Sequence, residues 1–143
     1  MKRSLVATDG SEGADHAVDY AARWAKNQGA DLLIVNVIGG LPHRLLSSFT
    51  HAQHAWLDEL FDSLSAETLT KARDRARGAG ATTIQLESRT GEVAQTIIDI
   101  AQEKQADAIV VGRRGAGLVA GLLLGSVSQK LVSLAPLPVT VIP

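Results

Sequence analysis

The chain has 143 residues, enough for one domain with a sizeable core and too few for two. Its 14 basic and 15 acidic residues are interspersed and nearly cancel, leaving a formal net charge of −1 and no electrostatic footprint for nucleic acid. The absence of cysteine excludes disulfides and thiolate metal sites and is compatible with a reducing cytoplasm.

Met1, Lys2 and Arg3 begin the chain, but Asp9 comes too soon for the apolar region of a signal peptide. Residues 4–8 form a short apolar run that predicts a buried strand ending at Asp9-Gly10-Ser11-Glu12. Gly10 suits a sharp turn, Ser11 an N-cap, and Glu12 with Asp15 the first turn of a helix. Ala14, Ala17, Val18, Ala21 and Ala25 recur at helical spacing, with side chains small enough for close approach to a sheet, and Gly29 ends the helix. Residues 31–38 are apolar on both faces apart from Asn36, as an interior parallel strand should be.

Residues 39 to about 50, with two glycines and Pro42, read as a mobile loop. A long helix is expected from about His54 to Arg77, with Leu57, Leu60, Phe61 and Leu64 on one face and three arginines at the dipole-favoured end. Residues 82–88 alternate polar with apolar, the mark of an edge strand with one solvated face. Gly91-Glu92 opens a helix whose buried stripe is Val93, Ile97, Ile100 and Ala101. Residues 107–111 predict a fourth buried strand, a helix starts near Val127, and residues 139–142 make a fifth strand after Pro136 and Pro138.

Five strands alternating with four helices specify a single-domain α/β protein with a mainly parallel sheet and helices on both faces. Ligands of such sheets bind beyond the C-terminal strand ends, where neighbouring connections diverge. If Asp9 and the glycine-rich stretch after the fourth strand share one ligand, their strands are neighbours, which gives the order 3-2-1-4-5. The longest apolar run, residues 116–124, is glycine-interrupted and far short of the roughly 20 residues of a membrane helix, so no membrane partner is expected.

The chemistry concentrates in Gly112-Arg113-Arg114-Gly115 and, nine residues on, Gly125-Ser126. Glycine at a strand end lets backbone approach a ligand, and the free N–H groups of a helix start attract anions such as phosphate. Ser126 is read as a cap or a phosphate ligand; the competing reading of the stretch is a turn that binds nothing. Arg113 and Arg114 either clamp phosphate or are solvated loop charges, and Asp9 either contacts a ligand or closes its own turn. His51 and His54, with His43 nearby, have a spacing that could hold a metal, but solvated histidines near a helix start are commoner, and that is the reading taken. Trp24 and Trp56 are read as packing or interface residues. A hydrolase triad is rejected for want of a Gly-x-Ser-x-Gly elbow.

The spacing Gly112-x2-Gly115-x9-Gly125-Ser126, with residues 7–12 (Ala-Thr-Asp-Gly-Ser-Glu) and 135–139 (Ala-Pro-Leu-Pro-Val), resembles the ATP-binding branch of the universal stress protein family over the whole chain, 1–143. The resemblance implies a Rossmann-like fold and an ATP site in which Gly112, Gly115, Gly125 and Ser126 hold phosphates and ribose. Asp9 would lie beside the nucleotide, and the backbone of Val37 would read the adenine edge. Arg114 is added as a candidate phosphate contact. Arg113, and Ala120-Gly121, depart from residue types frequent in the family. Magnesium or manganese is expected with ATP, and a homodimer through the edge of strand five, burying Val139 and Val141.

Three functions follow. The first is a cytoplasmic ATP-binding regulator, whose occupancy tunes dimer conformation or an unknown protein partner during stress. The second is an enzyme that slowly hydrolyses ATP or phosphorylates itself; no P-loop lysine pattern is present, and Asp9 is the acidic candidate. The third is a structural dimer with a vestigial pocket or a preference for cyclic AMP. Regulation ranks first.

Overall fold

Where each apolar run ends in a turn residue, the computed structural model, which describes residues 2–113 and 124–143, places an element boundary. In chain order the elements are β1 (Arg3–Ala7), α1 (Glu12–Gln28), β2 (Asp31–Ile38), α2 (His43–Leu46), α3 (His51–Gly78), β3 (Ile84–Thr90), α4 (Val93–Glu103), β4 (Ala108–Gly112), α5 (Ser126–Leu134) and β5 (Val139–Ile142). Ser11 caps α1 by accepting from the Ala14 N–H, and Gly29 closes it in the left-handed conformation at φ 61°.

The sheet order is β3-β2-β1-β4-β5, as the shared-ligand argument required, and every neighbouring pair is parallel. Strand alternation divides the core. Val6, Leu32, Ile34 and Val110 face α1 and α3, whereas Leu5, Leu33, Val35, Ile109 and Val111 face α4 and α5. The helices that follow β1 and β2 therefore lie on one face, and those that follow β3 and β4 on the other. That divergence between β1 and β4 is the topological switch point at which open α/β sheets bind ligands.

Some expectations need correction. The segment at residues 39–50 contains the short α2, and α3 starts at His51 because Thr50 and Gln53 form a capping box, with hydrogen bonds of 3.2 and 2.8 Å. The edge strand is shifted to Ile84–Thr90. The buried face of α3 runs through Leu57, Ser65, Leu69, Ala72 and Ala76, while Leu60 and Leu64 are exposed. Length explains this: a helix of 28 residues spans about 42 Å, and the 8 residues of β2 about 26 Å, so the N-terminal half of α3 outruns its support. Its C-terminal half is tied down by Arg75, whose guanidinium grips Asp19 of α1 at 2.8 and 2.9 Å. Trp24 packs against the core, as expected, and Trp56 stands out into solvent.

Leu69→Ala should cost about 2–5 kcal/mol in urea denaturation, and Leu60→Ala only about 0.5 kcal/mol. Equal losses would show that the face expected from the sequence is the packed one.

Candidate functional site

The candidate site begins at a backbone contact. A Cβ built on Gly112 would stand 2.8 Å from the Gly13 carbonyl oxygen and 3.2 Å from the Ala14 nitrogen, so the end of β4 meets the first turn of α1 with no room for a side chain. The register of β1 with β4 pairs Ser4 with Ala108 and Val6 with Val110; carried on, it brings Thr8 opposite Gly112. Asp9 follows at once, exposed beyond the strand end. Its Oδ1 accepts from the Ser11 N–H at 2.9 Å, the turn-closing bond weighed for it in the sequence, and Gly10 takes φ 81°.

Val37 lies two residues past the last β1–β2 register pair, Ala7 with Val35. The Val35 carbonyl accepts from the Thr8 N–H at 2.9 Å, and the two-residue period turns the peptide groups of Val37 to the same side, toward the Asp9 turn. The Val37 side chain packs on the α4 and α5 core.

Gly125 and Ser126 form the start of α5. The N-cap is Gly125 with no side-chain cap bond, and Ser126 is the first helical residue, which corrects its reading as a cap. The N–H groups of Ser126, Val127 and Ser128 thus lack intrahelical acceptors by position. This helix start is fastened to β4: Gly125 N–H donates to the Arg113 carbonyl at 2.8 Å, and Ser128 Oγ–H to the Arg113 and Gly125 carbonyls at 2.8 and 3.1 Å. Asp9, Val37, Gly112, Gly125 and Ser126 accordingly gather at the C-terminal end of the sheet. Arg114 and Gly115 lie outside the described residues.

Sequence reading missed Ser128 and two further buried polar residues, Asn36 and Ser65. Asn36 carried a signal, the single polar side chain in an apolar strand. A cavity of about 300 Å³ also went unforeseen; it opens between α3 and the ends of β2 and β3, lined among others by Ile38, Asp58, Asp62, Ser65 and Thr90, and by none of the site residues named from the sequence. Arg89, on its wall, is held protonated well beyond the ordinary guanidinium range by hydrogen bonds to Glu103 and Glu87. His54 packs edge-on to Phe49 at 5.9 Å, and no group of three potential metal ligands forms among the described residues. Val139 and Val141 are half-buried against the α4 and α5 core, and among the described residues β5 leaves its outer backbone edge open.

The parallel sheet, its order and the Asp9 turn at its switch point define a Rossmann-like α/β protein. The chain belongs to the universal stress protein family, whose family model matches residues 1–143. It is 32% identical to the universal stress protein YxiE of Bacillus subtilis, over 99% of this chain and 99% of that one. Among solved structures it is similar to a universal stress protein in complex with cAMP, at 29% identity and a TM-score of 0.77, covering 99% of this chain and 97% of that one. It is also similar to the Archaeoglobus fulgidus universal stress protein in complex with dAMP, at 26% identity and a TM-score of 0.70, covering 100% and 98%.

Gly112→Ala should destabilise the fold by about 1–3 kcal/mol in chemical denaturation, because the intruding methyl meets backbone that cannot rotate away. An unchanged midpoint would contradict the close approach of α1.

Proposed function

We propose that this chain is a cytoplasmic adenine-nucleotide-binding regulator, with ATP as its ligand, whose occupancy tunes dimer conformation or the binding of a protein partner during stress. The observation that carries the reading is the convergence, at one switch point, of the Asp9 turn, the outward peptide groups of Val37, the side-chain-free end of β4 and the unshared amides of α5. Their chemistry suits the parts of the ligand. Amides at a helix start favour phosphate, a paired N–H and C=O match the adenine edge, and a carboxylate suits ribose hydroxyls. Gly115 belongs to the set that the family resemblance implies, and Arg114 is added to it as a candidate phosphate contact.

Magnesium or manganese would be held chiefly by the triphosphate oxygens, since no three-ligand protein site forms among the described residues. It supplies charge screening. Turnover is the lesser role: Asp9 is the carboxylate at hand, and it is already engaged with the Ser11 amide. Cyclic AMP is the alternative ligand, favoured by the complex of the structural neighbour. Dimerisation is assigned to the β5 edge, whose backbone lacks a neighbour in the sheet among the described residues.

Mass spectrometry of protein released by denaturation should show a co-purified adenine nucleotide. In calorimetric titration with MgATP, Ser126→Ala should weaken binding about tenfold, by removing one hydroxyl while leaving the helix amides in place. Unchanged affinity would put the phosphates elsewhere. Steady-state ATP turnover should fall well below the roughly 1–100 per second of kinases; turnover in that range, lost in Asp9→Asn, would make the protein an enzyme. A monomer in light scattering at micromolar concentration would contradict the dimer.

A further inference from the structure

Burying a polar side chain is costly unless it is hydrogen-bonded, and three of the buried polar residues here satisfy one another in a single line. Ser65 of α3, 3% exposed, donates its hydroxyl to Asn36 Oδ1 at 2.6 Å. Asn36, 6% exposed on β2, donates Nδ2–H to the Thr8 carbonyl at 2.8 Å. Among the described residues, Ser65 to Asn36 is the side chain to side chain hydrogen bond made in a fully buried setting; the others lie at exposed or half-buried positions.

The line ends where the candidate site begins. Thr8 follows the last residue of β1, and its carbonyl belongs to the same rigid peptide plane as the Asp9 N–H, so fixing one fixes the other. From there the turn continues in hydrogen bonds from Gly10 N–H to Thr8 Oγ1 at 3.1 Å and from Ser11 N–H to Asp9 Oδ1 at 2.9 Å. We infer that Ser65 and Asn36 are positioning residues: they set the direction in which the chain leaves β1, hold the turn that presents Asp9, and thereby couple α3 to the nucleotide site. The statement about the site rests on the nucleotide-binding reading; the statement about the turn does not. Asn36 is suited to the task because its amide accepts from α3 and donates to β1 at once, which neither a carboxylate nor an aliphatic side chain does. Coupling of this kind is reciprocal, so whatever moves α3 at Ser65 changes nucleotide affinity, and nucleotide changes how firmly α3 is held.

The test uses the full chain in wild-type, Ser65→Ala and Ser65→Thr forms. Amide hydrogen exchange is followed without ligand, and MgATP binding by calorimetry. Ser65→Ala should accelerate exchange at Gly10 and Ser11 about tenfold more than at the core amides of Leu5 and Val6, which report global opening, and should weaken MgATP about three- to tenfold. Ser65→Thr should restore both, since Ser65 lines the cavity beneath α3 and the added methyl has space to enter. Exchange at Gly10 and Ser11 that only follows Leu5 and Val6 would overturn the inference, as would Ser65→Thr behaving like Ser65→Ala in a folded protein. Wild-type protein that takes up no MgATP, with exchange at the turn still accelerated by Ser65→Ala, would support the hydrogen-bonded line and overturn the nucleotide reading alone.

Discussion

At the junction of β4 and α1 two backbones touch where side chains would ordinarily keep them apart. Gly112 permits it: the Gly13 carbonyl occupies the space a side chain at residue 112 would need. The position of α1 over the sheet, and of the Asp9 turn that precedes it, follows from that approach. Alanines on the sheet-facing side of α1 extend it along the helix, with Ala14, Ala17, Ala21 and Ala22 all buried. A larger residue at position 112 would lift α1 and carry the turn away from the end of β4.

The same end of the sheet is pinned from three directions by hydrogen bonds as well as by apolar packing. Ser128 joins the start of α5 to Arg113 at the end of β4, Asn36 joins the end of β2 to that of β1, and Ser11 joins the turn to α1. Apolar contacts are non-directional and tolerate small displacements, whereas hydrogen bonds to backbone groups fix orientation. This polar fastening suits a surface that must present amides and a carboxylate in set directions. The core clusters on both sheet faces provide the stability beneath it.

Much of this was legible in the residues. Ser11 and Gly29 delimit α1 because capping is local chemistry, and the alternation in residues 82–88 marked an edge strand, which is where β3 stands in the sheet. The strand order was reached by requiring Asp9 and the glycine stretch to be neighbours. What escaped the sequence depends on partners distant along the chain. Periodicity shows that α3 is amphipathic, but the face that packs is decided by where the sheet ends, so Leu60 and Leu64 were placed inside while Ser65 takes the buried position. Asn36 stood out as a lone polar residue, yet its partners lie 28 and 29 positions away, and no local pattern names them. Val139 and Val141 were read as dimer-edge residues, and the contact of both side chains with the α4 and α5 core was not legible in their alternation.

Nitrogen-edited NMR during titration with MgATP tests the central claim most directly, because every backbone amide reports its own surroundings. The account predicts that the largest shift changes fall on Asp9, Gly10, Val37, Gly112, Ser126 and Val127, at the switch point between β1 and β4. Changes centred instead on Asp58, Asp62, Ser88 and Thr90, around the cavity beneath α3, would contradict it, as would a spectrum that does not respond to the nucleotide.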